Sequence, residues 1–219
     1  LFGASLLLLG LSCQLTQQPI DLQNGLVITK SVKIRPDTFY LNGQDSLDRP
    51  VLTIQGDNVV VDFNGSVLVG SGDKATPDEF YGLGIRVENG ENITIKNATV
   101  RGFKVGLMAE GVDSLKIVNS DFSYNFRQRL KSIREREDLS DWMSYHDNEK
   151  DEWLRYGAAM YLKNCDHALV RNVRVTGGQN ALMLMQCNRG LFYNNTFHFN
   201  SGIGIGMYRS SHNRVLHNR

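Results

Sequence analysis

The densest concentration of chemically capable side chains is FRQRLKSIREREDLSDWMSYHDNEKDEWLRY, residues 126–156. It contains Tyr145-His146-Asp147, followed by Asp151, Glu152 and Arg155. A histidine beside a carboxylate can take or give a proton near neutral pH, because its ordinary pKa lies there and responds to nearby charge. Tyrosine or tryptophan can stack on a sugar ring, while arginine or lysine can neutralise a uronate carboxylate. The chemistry these residues suggest is proton transfer on a substrate that carries carboxylates. His146 or Tyr145 would be base or acid, with Asp147 in the same catalytic group. Trp142, Arg155, Tyr161, Lys163 and Arg209 would bind substrate, the cations facing its carboxylates. The bland alternative is a solvated loop, since Arg127 to Arg155 carries seven basic and eight acidic residues.

Other chemistries find no support. No strong metal-ligand spacing, Ser-His-Asp signature or phosphate loop occurs, so no residue is assigned to a metal and the cofactor is left unknown. Lys+Arg is 24 against Asp+Glu 23, a net charge of +1, which excludes a globally basic nucleic-acid binder. Hydrophobic residues make up 41%, enough for a core in the 219-residue chain. Gly at 21 and Asn at 19, with only 4 Pro, suggest many tight corners in a regular scaffold.

That scaffold is visible as a repeat. Anchored on Asn97, Asn119, Asn172, Asn194 and Asn218, the spacings are 22, 53, 22 and 24. The 53 is one period plus an insertion, and Asn64 precedes Asn97 by one period plus 11. Twelve residues before each anchor stand Leu52, Ile85, Leu107, Met160, Leu182 and Gly206. Ten before stand Ile54, Val87, Ala109, Leu162, Leu184 and Tyr208. Apolar columns of period two describe short strands with one face inward. The anchor asparagine suits a corner, because it tolerates the left-handed conformation and its amide can bond the next asparagine. The fold class expected is all-β: a parallel β-helix with a helical insertion.

Residues 52–219 resemble right-handed parallel β-helix proteins of the pectate-lyase-like superfamily. The phrasing of SSHNRVLHN and NNTFHFNSGIGIGMYRSS is similar to NosD-like, "right-handed β-helix region" proteins of bacterial envelopes. The resemblance implies a right-handed coil of three strands and three corners, with the insertions at about 70–81 and 126–156 at the last corner. It also implies a groove along the outer face of the first sheet. It transfers no catalytic residue. The Asp runs of polygalacturonases and the Arg base with acidic cluster of pectate lyases are absent, and Tyr145-His146-Asp147 is only faintly similar to the epimerase run. Two functions follow: an enzyme of lyase, epimerase or hydrolase type on acidic polysaccharide, or a non-catalytic binding protein or NosD-like metal-maturation factor. A monomer is expected.

On this frame the later outward positions of the first sheet are Tyr161, Met183 and Met207, with Lys163, Met185 and Arg209. The apolar stripe is explained by the 126–156 insertion folding over it, by a ligand groove, or by a thioether site for a soft metal. The insertion is expected to hold an amphipathic helix near 127–139 and a second turn near 148–155. Cys165 and Cys187 occupy equivalent positions in adjacent coils, as a disulfide or a stacked thiol pair.

Residues 1–13 form an apolar run ending in Cys13, suited to a secretory or lipoprotein-type signal without its basic start. Export to the bacterial periplasm, outer surface or medium is expected, with membrane contact only through a lipid on Cys13. Residues 14–51 are assigned to an N-terminal cap and first strands. The closing HNRVLHNR stops in mid-pattern, and more coils are expected after it.

Overall fold

The computed structural model describes residues 18–71, 76–141, 148 and 151–219. The apolar leader with Cys13, and Trp142, Tyr145, His146 and Asp147 of the insertion, lie outside the described residues.

The chain winds as a parallel β-helix. The first coil comprises β1 (Leu26–Ile28), β2 (Val32–Lys33) and β3 (Thr38–Tyr40), the second β4 (Leu52–Ile54), β5 (Val60–Asp62) and β6 (Val67–Val69). β7 (Leu83–Val87), β8 (Thr94–Lys96) and β9 (Thr99–Arg101) make the third, then β10 (Val105–Glu110) and β11 (Lys116–Val118). After the long insertion come β12 (Ala158–Lys163), β13 (Leu169–Arg171), β14 (Leu182–Met185), β15 (Leu191–Tyr193), β16 (Ile205–Tyr208) and β17 (Arg214–Leu216). The first sheet runs β1-β4-β7-β10-β12-β14-β16, the second is its seven-stranded counterpart from β2 to β17, and the third is β3-β6-β9. Single parallel bridges extend the third sheet through Asp121, Arg174 and Thr196.

The inward columns match expectation. Leu52, Ile85, Leu107, Met160 and Leu182 pair in succession, and all are sealed from solvent. The last coil departs by one residue. Leu182 pairs with Ile205 and Leu184 with Met207, while Tyr193 pairs with Leu216. His217, not Asn218, therefore occupies the anchor corner, with φ 54° like the anchor asparagines. Asn218 turns inward instead and accepts the Asn195 N–H at 2.9 Å. The consecutive Asn194-Asn195 made the two positions look alike in sequence.

Corners are held by two kinds of ladder. Outside, the Asn172 amide donates to Asn119 at 2.9 Å, the Asn194 amide to Asn172 at 2.8 Å, and the Asn97 amide to Asp62 at 2.8 Å. Inside, side-chain oxygens receive the N–H of the coil below. Ser120 serves Ala98, Asn195 serves Val173, and Asn125 serves Phe103. Cys165 and Cys187 stack in such an interior column as free, buried thiols, and the Cys165 N–H points at the Cys187 sulfur, 3.4 Å away. The hydrogen bond to Cys165, then burial, pushes the Cys187 thiol up.

The insertion corrects one expectation. No helix spans 127–139. The segment folds back through reciprocal Ile133–Arg136 backbone bonds and ends in a 3-10 turn at Leu139–Asp141. The cause is Asp141, whose buried carboxylate accepts the Lys131 and Ser132 N–H groups and the Gln128 amide. A carboxylate bonding free backbone N–H groups favours a loop over a helix. The backbone bond from Lys131 leads in holding its pKa down at about 2. Leu130, Ile133 and Leu139, the supposed apolar face, are exposed. The second turn does form, as α1 (Glu152–Arg155).

Asn125 is the most exacting corner residue. It is buried, its oxygen accepts the Phe103 N–H, and its amide donates to Val100 and Phe122 carbonyls. Asn125→Leu strands three buried backbone groups and should cost ~2–4 kcal/mol in urea unfolding. A change below about 0.5 kcal/mol would contradict this account of the corners.

Candidate functional site

The outer face of the first sheet carries two rows. One reads Thr53, Arg86, Met108, Tyr161 and Met183, followed by Gly206. The other passes through Glu110, Lys163, Met185 and Tyr208. The slip in the last coil removes two predicted members. Met207 takes the inward register opposite Leu184, and Arg209 falls beyond β16 at the following corner, its guanidinium over the Tyr208 ring at 5.1 Å. The thioether row loses a member, and the binding row a cation.

The stripe is covered by the 126–156 insertion, through Trp153. Trp153 is buried with Met108, Tyr161, Met183 and Met185, and Leu154 packs against the same cluster. Its ring meets Tyr208 edge-on at 6.0 Å. Polar contacts pin the same segment. The Tyr161 hydroxyl donates to Asp151 at 3.0 Å, and the Asn148 amide donates to Tyr161 at 3.3 Å. Lys163 bridges Asp151 at 3.3 Å and Glu110 at 3.4 Å. Burial drives the Tyr161 phenol above its ordinary range. For Lys163, burial opposes the charge but Asp151 and Glu110 outweigh it, so its ammonium is held above the ordinary value. Tyr161 and Lys163 thus anchor the insertion and do not line an open groove.

Two clefts lie at the last corner, where each coil enters the first sheet. A cleft of about 500 Å³ is walled by Asp45, Ser46 and Leu47, by residues 78–82, and by Lys104 and Phe126. A second of about 310 Å³ is lined by Gln128, Arg129, Lys131, Ser140, Arg155 and Tyr156. Arg155, predicted to bind substrate, belongs to this basic cleft. Its guanidinium stacks on Tyr156 and donates to that hydroxyl at 2.8 Å. Trp142, Tyr145, His146 and Asp147 lie outside the described residues, so the site is built here without them.

Lys104 lines the first cleft, and the charge of Arg155, from the second, reaches it. Its amine stands 3.2 Å above the centre of the Phe126 ring. Burial, reinforced by the Arg155 charge, lowers its pKa from 10.5 to about 8. A ring face tolerates the ammonium but does not replace water or a carboxylate. A substantial fraction of the amine is therefore neutral near physiological pH, as a base or nucleophile requires. Sequence inspection missed Lys104 because it is a lone lysine in Gly102-Phe103-Lys104. The available signal was position: this is the short corner between the two insertions.

Two measurements check this site. Trp153→Ala opens a cavity over the first sheet and should cost ~3–5 kcal/mol, with faster proteolysis around residues 148–156. Unchanged stability would mean that the insertion is not docked. For Lys104 the sign follows from a folded pKa below the unfolded one. The unfolded chain binds the extra proton, so stability rises with pH from about 8 to 10.5. Lys104→Met should raise Tm near neutral pH and abolish that rise; a variant with the parent pH profile would refute the assignment.

The stacked parallel sheets agree with the comparison to known families. The model described as "Right handed beta helix region" matches residues 83–219. Searches of curated proteins and of solved structures return no match. With three parallel sheets, coil-to-coil register and more than half of its length matched, the chain belongs to the right-handed β-helix family.

Proposed function

We propose that the protein is an exported β-helix that binds acidic polysaccharide at the last corner and cleaves it by β-elimination. The observation that carries this reading is the position of Lys104: its amine lies over the Phe126 ring in the wall of an open cleft, close enough to Arg155 for that charge, with burial, to lower its pKa. Removal of a uronate C5 proton needs a neutral base next to a cation that stabilises the carboxylate as charge develops. Lys104 takes the C5 proton. The C–H electron pair forms the C4–C5 double bond as the C4–O bond breaks, and the departing oxygen takes a proton from solvent. Arg155, Arg129 and Lys131 hold carboxylates. Asp45 and Asp78 on the facing wall accept sugar hydroxyls. Export rests on the apolar run before Cys13.

A second reading, a binding protein without turnover, is favoured by the covered first sheet. Trp153 fills the place where a groove was expected, and Lys163 is already paired with Asp151 and Glu110.

The test is a panel of uronate polymers offered to the full-length protein, read as retention and as unsaturated ends released. Arg155→Gln should weaken retention about tenfold, as loss of a charge-assisted pair does. Lys104→Met should abolish release while retention persists. Retention without release in the parent protein selects the binding reading, and failure to retain any uronate polymer rejects both.

A further inference from the structure

The third sheet ends, coil by coil, at a column that reads Gly102, Tyr124, Gly177, Phe199. The Gly102 N–H donates to the Tyr124 carbonyl at 3.0 Å, and the Gly177 N–H to the Phe199 carbonyl at 3.1 Å. All four residues are left-handed, with φ of 80°, 59°, 69° and 58°. Glycine adopts this conformation freely, whereas a bulky L side chain is strained in it. Yet alternate coils carry an aromatic here. Neither is held by the core: Tyr124 is 57% and Phe199 82% exposed. Tyr124 leans across Gly177, its ring 2.9 Å from where a Cβ would stand. His198 meets Phe199 edge-on at 4.6 Å. Left-handed corners recur along the chain; what sets this column apart is that its two aromatic rings are left exposed, and exposed aromatic surface points to a ligand rather than to packing.

The neighbouring outward positions state its charge. Arg174 lies between Asp121 and Thr196 in a bridged row, and Arg101 ends β9. Both arginines are exposed, and neither forms an ion pair among the described residues. Tyr124 and Phe199 are two coils apart, about 10 Å along the axis. That leaves a pyranose ring for each aromatic and an arginine beside the chain for its acidic groups. The net charge of +1 and the carboxylate of Asp121 within the row disfavour a polyphosphate.

We infer that Tyr124 and Phe199, with Arg101 and Arg174, form a second polysaccharide-binding surface, outside the corner clefts, that holds an anionic glycan chain along the third sheet. The ligand class rests on the proposed function; the location does not.

The experiment measures retention of polygalacturonate, heparin, neutral dextran and single-stranded DNA by the full-length protein, with Tm recorded for each variant. Phe199→Gly and Tyr124→Gly remove a ring and relieve the left-handed strain. They should leave Tm unchanged or raised and lower affinity for an anionic glycan about tenfold each. Arg101→Gln with Arg174→Gln should weaken the same binding and flatten its salt dependence. Loss of polymer retention in these variants, with release from short uronate oligomers intact, separates this surface from the clefts. Lys104→Met has the reverse pattern if the clefts act as proposed, and its failure leaves the surface standing. Unaltered anionic-glycan retention in all four substitutions, retention of DNA alone, or a fall in Tm that accounts for the lost binding overturns the inference.

Discussion

Where the coils of this molecule turn, backbone N–H groups such as those of Ala98, Phe103 and Val173 leave the regular ladder while still buried. Such a group costs ~1–3 kcal/mol unless it finds an acceptor. The structure meets this demand with oxygens carried inside the corners of the next coil: Ser120, Asn125, Asn195, Asn200, Asn213 and Asn218 each accept one N–H from the coil below. Several then donate onward to a carbonyl. Coil stacking is therefore tied to corner chemistry as well as to the Leu, Ile and Val columns.

The same constraint explains what could be read in advance. Inward positions and corner asparagines recur because each coil repeats the same local problem, and repetition is what a single sequence displays best. The reading failed by one residue where Asn194-Asn195 offered two adjacent corner residues and His217 took the left-handed place. It also failed across 127–139. There the partial helical spacing of Leu130, Ile133, Leu139, Trp142 and Met143 points to a helix, but one carboxylate, Asp141, gathers backbone N–H groups from nine and ten residues earlier. No periodicity announces such a contact.

The site was less legible for a related reason. The charged insertion attracts attention, yet Trp153, Asp151 and Asn148 fasten it to Tyr161 and Lys163. The residues nearest to open space come from separate stretches of chain: Asp45, Asp78, Lys104 and Phe126 in one cleft, Arg129 and Arg155 in the next. Only stacking brings them together. The low pKa of Lys104 follows from burial, which a short corner sequence does not disclose.

The solenoid also behaves as a ruler. Groups projecting from one corner of successive coils are separated by whole multiples of a rise of about 4.8 Å. Insertions as different as those before β7 and before β12 leave that graduation unaltered, since β4 stays paired with β7 and β10 with β12. A binding surface on such a body can change its chemistry freely, coil by coil, but its spacing only in fixed steps. Selectivity between polymers would then be set by which repeat lengths fall on the graduations.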